Sequence, residues 1–137
     1  MKKLIIVLLA IPLLSFNAQI DNSNFVGRWV GEDEKEVGYM NFDKEGYAFF
    51  EVEGQILGGK EFVIDGEKGE MTYEVNEKTS PIQLDLIITK LATQDQRKLL
   101  CIVNFIDDDT MEIAMGFENV RPMVFDSENS MIFKRDK

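Results

Sequence analysis

Nowhere does this chain hold a long stretch in which apolar residues return every three to four positions. Stretch after stretch returns them every second position. In EMTYEVN, Met71, Tyr73 and Val75 share one face, while Glu70, Thr72 and Glu74 take the other. In PIQLDLII, Ile82, Leu84, Leu86 and Ile88 alternate with Gln83 and Asp85. In TMEIAMGF, Met111, Ile113, Met115 and Phe117 oppose Thr110, Glu112 and Ala114. A period of two puts alternate side chains on opposite faces of a strand, so each stretch reads as a strand with one apolar and one wet face. Such strands belong to antiparallel sheets.

The residues between these stretches are turn formers. Gly46 follows NFDKE, Asp65-Gly66 and Gly69 interrupt the next apolar run, and Asp107, Asp108 and Asp109 separate two more. The pattern predicts strands over 26–31, 37–42, 47–52, 56–64, 70–75, 82–89, 99–106, 110–116 and 130–136. Segment 91–98 reads as a short helical turn or a hairpin tip. Gly58-Gly59 falls inside a predicted strand, where a pair of residues without side chains marks a sharp bend or bulge. Many short strands in one small domain close into a barrel or stack as a sandwich. Corners of the Gly58-Gly59 kind belong to barrels.

The first residues carry a different signal. Lys2 and Lys3 precede an apolar run from Leu4 to Leu14, followed by Ser15, Asn17 and Ala18. Basic, apolar, then small and polar is the order of a secretory signal. The apolar run is shorter than the roughly 20 residues that span a bilayer as a helix. The expectation is a signal peptide over 1–18, cut near Ala18, and a single exported domain over 19–137, periplasmic or secreted. No cysteine stands near the cut to take a lipid.

Charge and composition exclude several functions. The chain carries 15 basic and 25 acidic residues, and Lys2 and Lys3 leave with the signal. An acidic chain of this kind lacks the basic footprint of a nucleic-acid binder and is repelled by anionic membrane surfaces. There is no histidine, so serine and cysteine triads and histidine zinc sites are excluded. The single cysteine, Cys101, lies in the apolar run LLCIVNF and reads as a buried thiol. The run Asp107 to Asp109 reads as a solvated turn rather than a calcium loop, whose ligands sit at alternate positions around a glycine. No nucleophile–base set stands out. The chain reads as a non-enzyme with no metal and no cofactor.

The only tryptophan, Trp29, lies in FVGRWVG. In strand phase Gly27 and Gly31 flank it on its own face, leaving room for the indole to lie across the end of a core. GRW resembles the Gly-x-Trp signature that opens the first strand of calycins, the group containing lipocalins and fatty-acid-binding proteins. The resemblance implies an antiparallel lipocalin-like barrel of eight or nine strands. It also implies that Trp29 closes one end and that a basic residue of the last strand packs over it. In MIFKRDK that residue is Arg135, or Lys134 if the register shifts by one. From Tyr73 to Arg135 the chain also resembles a secreted domain family of unknown function abundant in planctomycetes. The matching pieces are TYEV, SPIQLDL, LLCIVNFIDDDTMEIAM, RPMVF and FKR.

A barrel of this size fills its interior or holds one small ligand. The expected partner is a small, partly apolar molecule or, alternatively, another protein meeting an acidic surface over a packed interior. Tyr39 and Tyr73 are the candidate ligand-lining residues. Phe42, Phe49, Phe62, Met71 and Met115 are the candidates for filling the space. Arg121 has two readings: it binds an acidic ligand head at the barrel mouth, or it ties a loop to backbone carbonyls or an Asp.

Overall fold

The computed structural model describes residues 24–31, 38–116 and 118–137. The proposed export segment, 1–18, lies outside them. Ten strands follow in chain order: β1 (Gly27–Gly31), β2 (Gly38–Phe42), β3 (Ala48–Val52), β4 (Gln55–Gly58), β5 (Phe62–Ile64), β6 (Glu67–Asn76), β7 (Ile82–Lys90), β8 (Gln96–Asp107), β9 (Thr110–Gly116) and β10 (Ser130–Arg135). All pairings are antiparallel. The hydrogen-bonded order is β4-β3-β2-β1-β10-β9-β8-β7-β6-β5. Every neighbour is also a neighbour in sequence except β1 and β10, which join the two ends of the chain.

The result is a nearly closed, up-and-down barrel. Among the described residues its two unpaired edges belong to consecutive strands, β4 and β5. The predicted strand over 56–64 is therefore two strands, which raises the expected eight or nine to ten. The break falls at Gly58 and Gly59, both with positive φ (119° and 86°). A Cβ on Gly58 would stand 2.7 Å from the Ala48 carbonyl oxygen, so the bend needs the missing side chain. At the bend Gly59 donates to the Ala48 carbonyl and accepts from Met71 N–H, both at 2.8 Å. Nearby, Tyr73 N–H reaches the Gly46 carbonyl, and Tyr47 bridges Thr72. These bonds sew β3 to β6 and seal the wall at that level. Segment 91–95 is the tip of the β7–β8 hairpin, and β8 begins three residues before its expected start.

Register sets the interior. Trp29 pairs with Met40 and Arg135, Met40 with Phe50, Phe42 with Ala48. Tyr73 pairs with Leu86, Leu84 with Cys101, Val103 with Ile113. These inward residues form one buried cluster, with Trp29, Met40, Leu84, Cys101, Val103, Met111 and Ile113 at 0% exposure. The alternation corrects two expectations. Phe49 lies on the outer face, because Phe50 takes the inner one. Tyr39 also faces outward, with the Arg28 guanidinium 3.7 Å from its ring centre.

A second buried set lies outside the barrel wall. Ile87, Thr89, Ile102 and Ala114 point outward yet are at most 6% exposed. After β9 the chain turns back along this wall. Arg121 donates to the Cys101 carbonyl at 2.9 Å and to Asp85 Oδ1 at 2.8 Å, pinning the 118–129 segment as a strap over β7 and β8. At the strap's far end, Asp126 Oδ1 accepts from the N–H groups of Glu128 and Asn129 and fixes the turn into β10.

Candidate functional site

The two ends of the barrel differ. One end is plugged. Trp29 lies across it, its Nε1–H donated to the Phe25 carbonyl at 2.9 Å. Phe25 packs edge-on against Phe42 (5.6 Å between ring centres) and Phe105 (5.1 Å), and Phe42 packs edge-on against Tyr73 (4.8 Å). Arg135 covers the indole at 4.2 Å. Its side chain also bonds the carbonyls of Asn24, Val26 and Asp108 and the carboxylate of Asp109, each at 3.1 Å. One guanidinium thus ties the first described residues, the β8–β9 turn and the last strand over one ring.

Gly27 makes room for this arrangement. Its φ is +134°, and a Cβ there would stand 3.2 Å from Arg135 Nη1. The glycine serves the guanidinium more than the indole. Lys134, one position earlier, pairs with Val30 on the outer face. Asp109 is held below its ordinary pKa, first by a hydrogen bond from Lys137; desolvation is the next largest influence and opposes it, and the charge of Lys137 and then Arg135 add smaller downward pulls. The Asp107–Asp109 turn therefore directs its last carboxylate at basic side chains. Asp107 Oδ1 accepts Asp109 N–H within the turn.

The other end carries no such plug among the described residues. Past Trp29 the inner face carries Gly31 and Gly38, which project nothing into the lumen. A recess of about 140 Å³ remains there, walled by Phe50, Val52, Met115, Met131 and Phe133, with Tyr39 at its edge. Across the mouth β8 outruns β9, because Leu100 pairs with the final residue of β9, Gly116. In that angle lies a hollow of about 440 Å³, lined by Ile88, Arg97, Lys98, Leu99, Glu118 and Asn119. An adjoining hollow of about 160 Å³ shares Ile88 and Arg97 and adds Ile64, Asp65, Lys90, Asp95 and Gln96. Arg97 stands between the two. It pairs with Ile88 and so belongs to the inward-facing set.

The sequence-predicted site residues thus separate. Tyr73 is 5% exposed beside the plugged end, and its hydroxyl donates to the Asp43 carbonyl at 2.9 Å. Tyr39 reaches only the rim of one recess. Arg121 clamps the strap on the outer wall, away from the lumen. The basic residues at the mouth are Arg97, Lys98 and Lys90, which sequence reading missed, and Arg97 is the one shared by both hollows. A signal was present: Arg97 is in phase with Leu99, Cys101 and Val103. Cys101 faces the core, and burial pushes its thiol up from 9.0 to about 12, with Arg121 opposing and Asp85 adding to the rise.

The architecture is consistent with a calycin-like fold: an antiparallel, nearly closed barrel with one end plugged under a tryptophan. Compared with known protein families, curated proteins and solved structures, the chain matches none.

Proposed function

We propose that this is an exported, non-catalytic barrel that takes a small, partly apolar molecule at its unplugged end. The observation that supports the reading is the asymmetry of the core. Aromatic rings fill the plugged end, while the mouth keeps recesses walled by Phe50, Met131, Phe133, Ile88 and Leu99. Pockets of this kind bind by apolar contact and use a few polar groups for orientation. Arg97 is the orienting group, suited by its fork of donors to a carboxylate or another anionic oxygen group. The likeness to secreted lipocalin-like domains and the amino-terminal export pattern agree with this reading.

The test uses 8-anilinonaphthalene-1-sulfonate, an apolar anion whose fluorescence rises out of water. The folded mature protein binds it saturably, and Arg97→Ala weakens binding while thermal unfolding stays unchanged. Native mass spectrometry of protein taken from its own exported fraction then detects a co-purifying small molecule. Absence of saturable dye binding, or binding that Arg97→Ala leaves untouched, overturns the assignment of the mouth.

A further inference from the structure

The barrel wall is unsealed where β4 and β5 part. Among the described residues each has a strand partner on one side only. Below Gly59 the wall is sewn by the bonds between β3 and β6. Above it β4 pairs with β3 and β5 with β6, and among the described residues the other edge of each is unpaired at the split between them. Within β4 and β5 themselves none of the usual protections against a further strand is present, such as a proline, a lysine or an inward charge. The strands read QILG and FVI and carry no charge themselves, while Lys60 and Glu61 stand in the bend that joins them. Ile56 is 61% exposed, Leu57 44% and Val63 66%.

The surroundings are acidic. Residues 51–74 hold seven carboxylates and two lysines; Glu61 is bound to Lys68 at 3.2 Å, Glu51 to Arg28 at 3.3 Å and Glu67 to Lys90 at 3.9 Å, which leaves four carboxylates, Glu53, Asp65, Glu70 and Glu74, outside these pairs. We propose that this split edge is a strand-addition site for an extended segment of another protein in which apolar and basic residues alternate. The added backbone bonds to the β4 edge. Its apolar side chains lie on the inner face over Leu57, and its basic ones lie on the outer face, beside Ile56 and Val63, where they meet the surrounding carboxylates. The short strands suit a segment of about five residues, roughly 17 Å when extended. A second copy of this chain is the poorer occupant, since each copy carries a net charge of −10 before loss of the signal and brings the same acidic rim.

The probe is a capped Lys-Val-Lys-Val-Lys-Val peptide titrated at low salt into the ¹⁵N-labelled mature protein. Saturable shifts confined to the amides of Gln55–Gly58 and Phe62–Ile64 are expected, with slower hydrogen exchange at Ile56. Ile56→Lys, at an exposed position, weakens binding about tenfold. Val63→Lys makes the same test on the other edge, and a Glu-Val peptide gives no saturation. Shifts spread over the whole acidic surface and indifferent to Ile56→Lys overturn the proposal in favour of diffuse charge attraction. Concentration-dependent shifts of the same amides without peptide overturn it in favour of self-association. No saturable shift at all also overturns it. The dye result at the mouth stands or falls independently of these outcomes.

Discussion

The guanidinium of Arg135 lies 4.2 Å from the ring centre of Trp29, and the two residues are direct partners in the β1–β10 register. That pairing joins the two ends of the chain. A contact between the first and last strands supports closure of the whole barrel, and its loss is felt across the wall.

Trp29→Ala is expected to destabilise the protein by about 3–5 kcal/mol, since the indole is wholly buried. Arg135→Ala removes a cation over a ring and several charge-assisted bonds, for an expected loss of about 1–3 kcal/mol. Arg135→Lys keeps the charge but not the fork, and recovers little of the loss. The double mutant loses less than the sum of the single losses, with a coupling of about 1 kcal/mol or more. Urea titrations of the four proteins measure this, and strict additivity defeats it. Gly27→Val crowds Arg135 Nη1 in a backbone conformation that valine resists, so it also destabilises.

The barrel was legible because inward positions repeat every second residue in the long strands. Met71, Tyr73 and Val75, or Met111, Ile113 and Met115, need no partner to declare their face. Short strands with neighbouring apolar residues hide theirs. In GYMNF either Tyr39 or Met40 fits the interior, and in AFFEV either Phe49 or Phe50; only the Met40–Phe50 pairing decides. Arg121 and Asp85 lie 36 positions apart, and nothing local in either segment announces the other. Arg97 escaped notice because β8 starts before its apolar run, in polar residues that resemble a turn.

The strap gives a second prediction. Arg121 holds it by two bonds, to Asp85 and to the Cys101 carbonyl. Arg121→Ala should speed hydrogen exchange through 118–129 and expose Ile87 and Ile102 beneath. The expected stability loss is about 1–3 kcal/mol, because Asp85 is left partly buried without its cation. Exchange followed by mass spectrometry checks it. Unchanged protection of the strap defeats the clamp.

Export is checked at the amino terminus. Sequencing of the protein recovered outside the cytoplasm should begin between about Phe16 and Ile20. An intact Met1 on that protein removes the basis for treating 1–18 as a signal.

The last prediction concerns alkaline pH. Cys101 is buried on the inner face opposite Leu84, and burial raises its thiol pKa from 9.0 to about 12. In the unfolded chain the thiol ionises near its ordinary value. Between the two values the unfolded state has released a proton that the folded state still holds. Stability therefore falls as pH rises above about 9, by up to about 1.4 kcal/mol per pH unit from this group alone. Below pH 9 both states hold the proton and the group contributes no slope. Cys101→Ala removes the titrating thiol at the cost of a small cavity, so it lowers stability slightly at pH 7 but flattens the decline above pH 9. Urea midpoints of both proteins from pH 7 to 10.5 decide the matter. Parallel declines would place the alkaline sensitivity elsewhere and show that Cys101 ionises in the folded barrel as readily as in water.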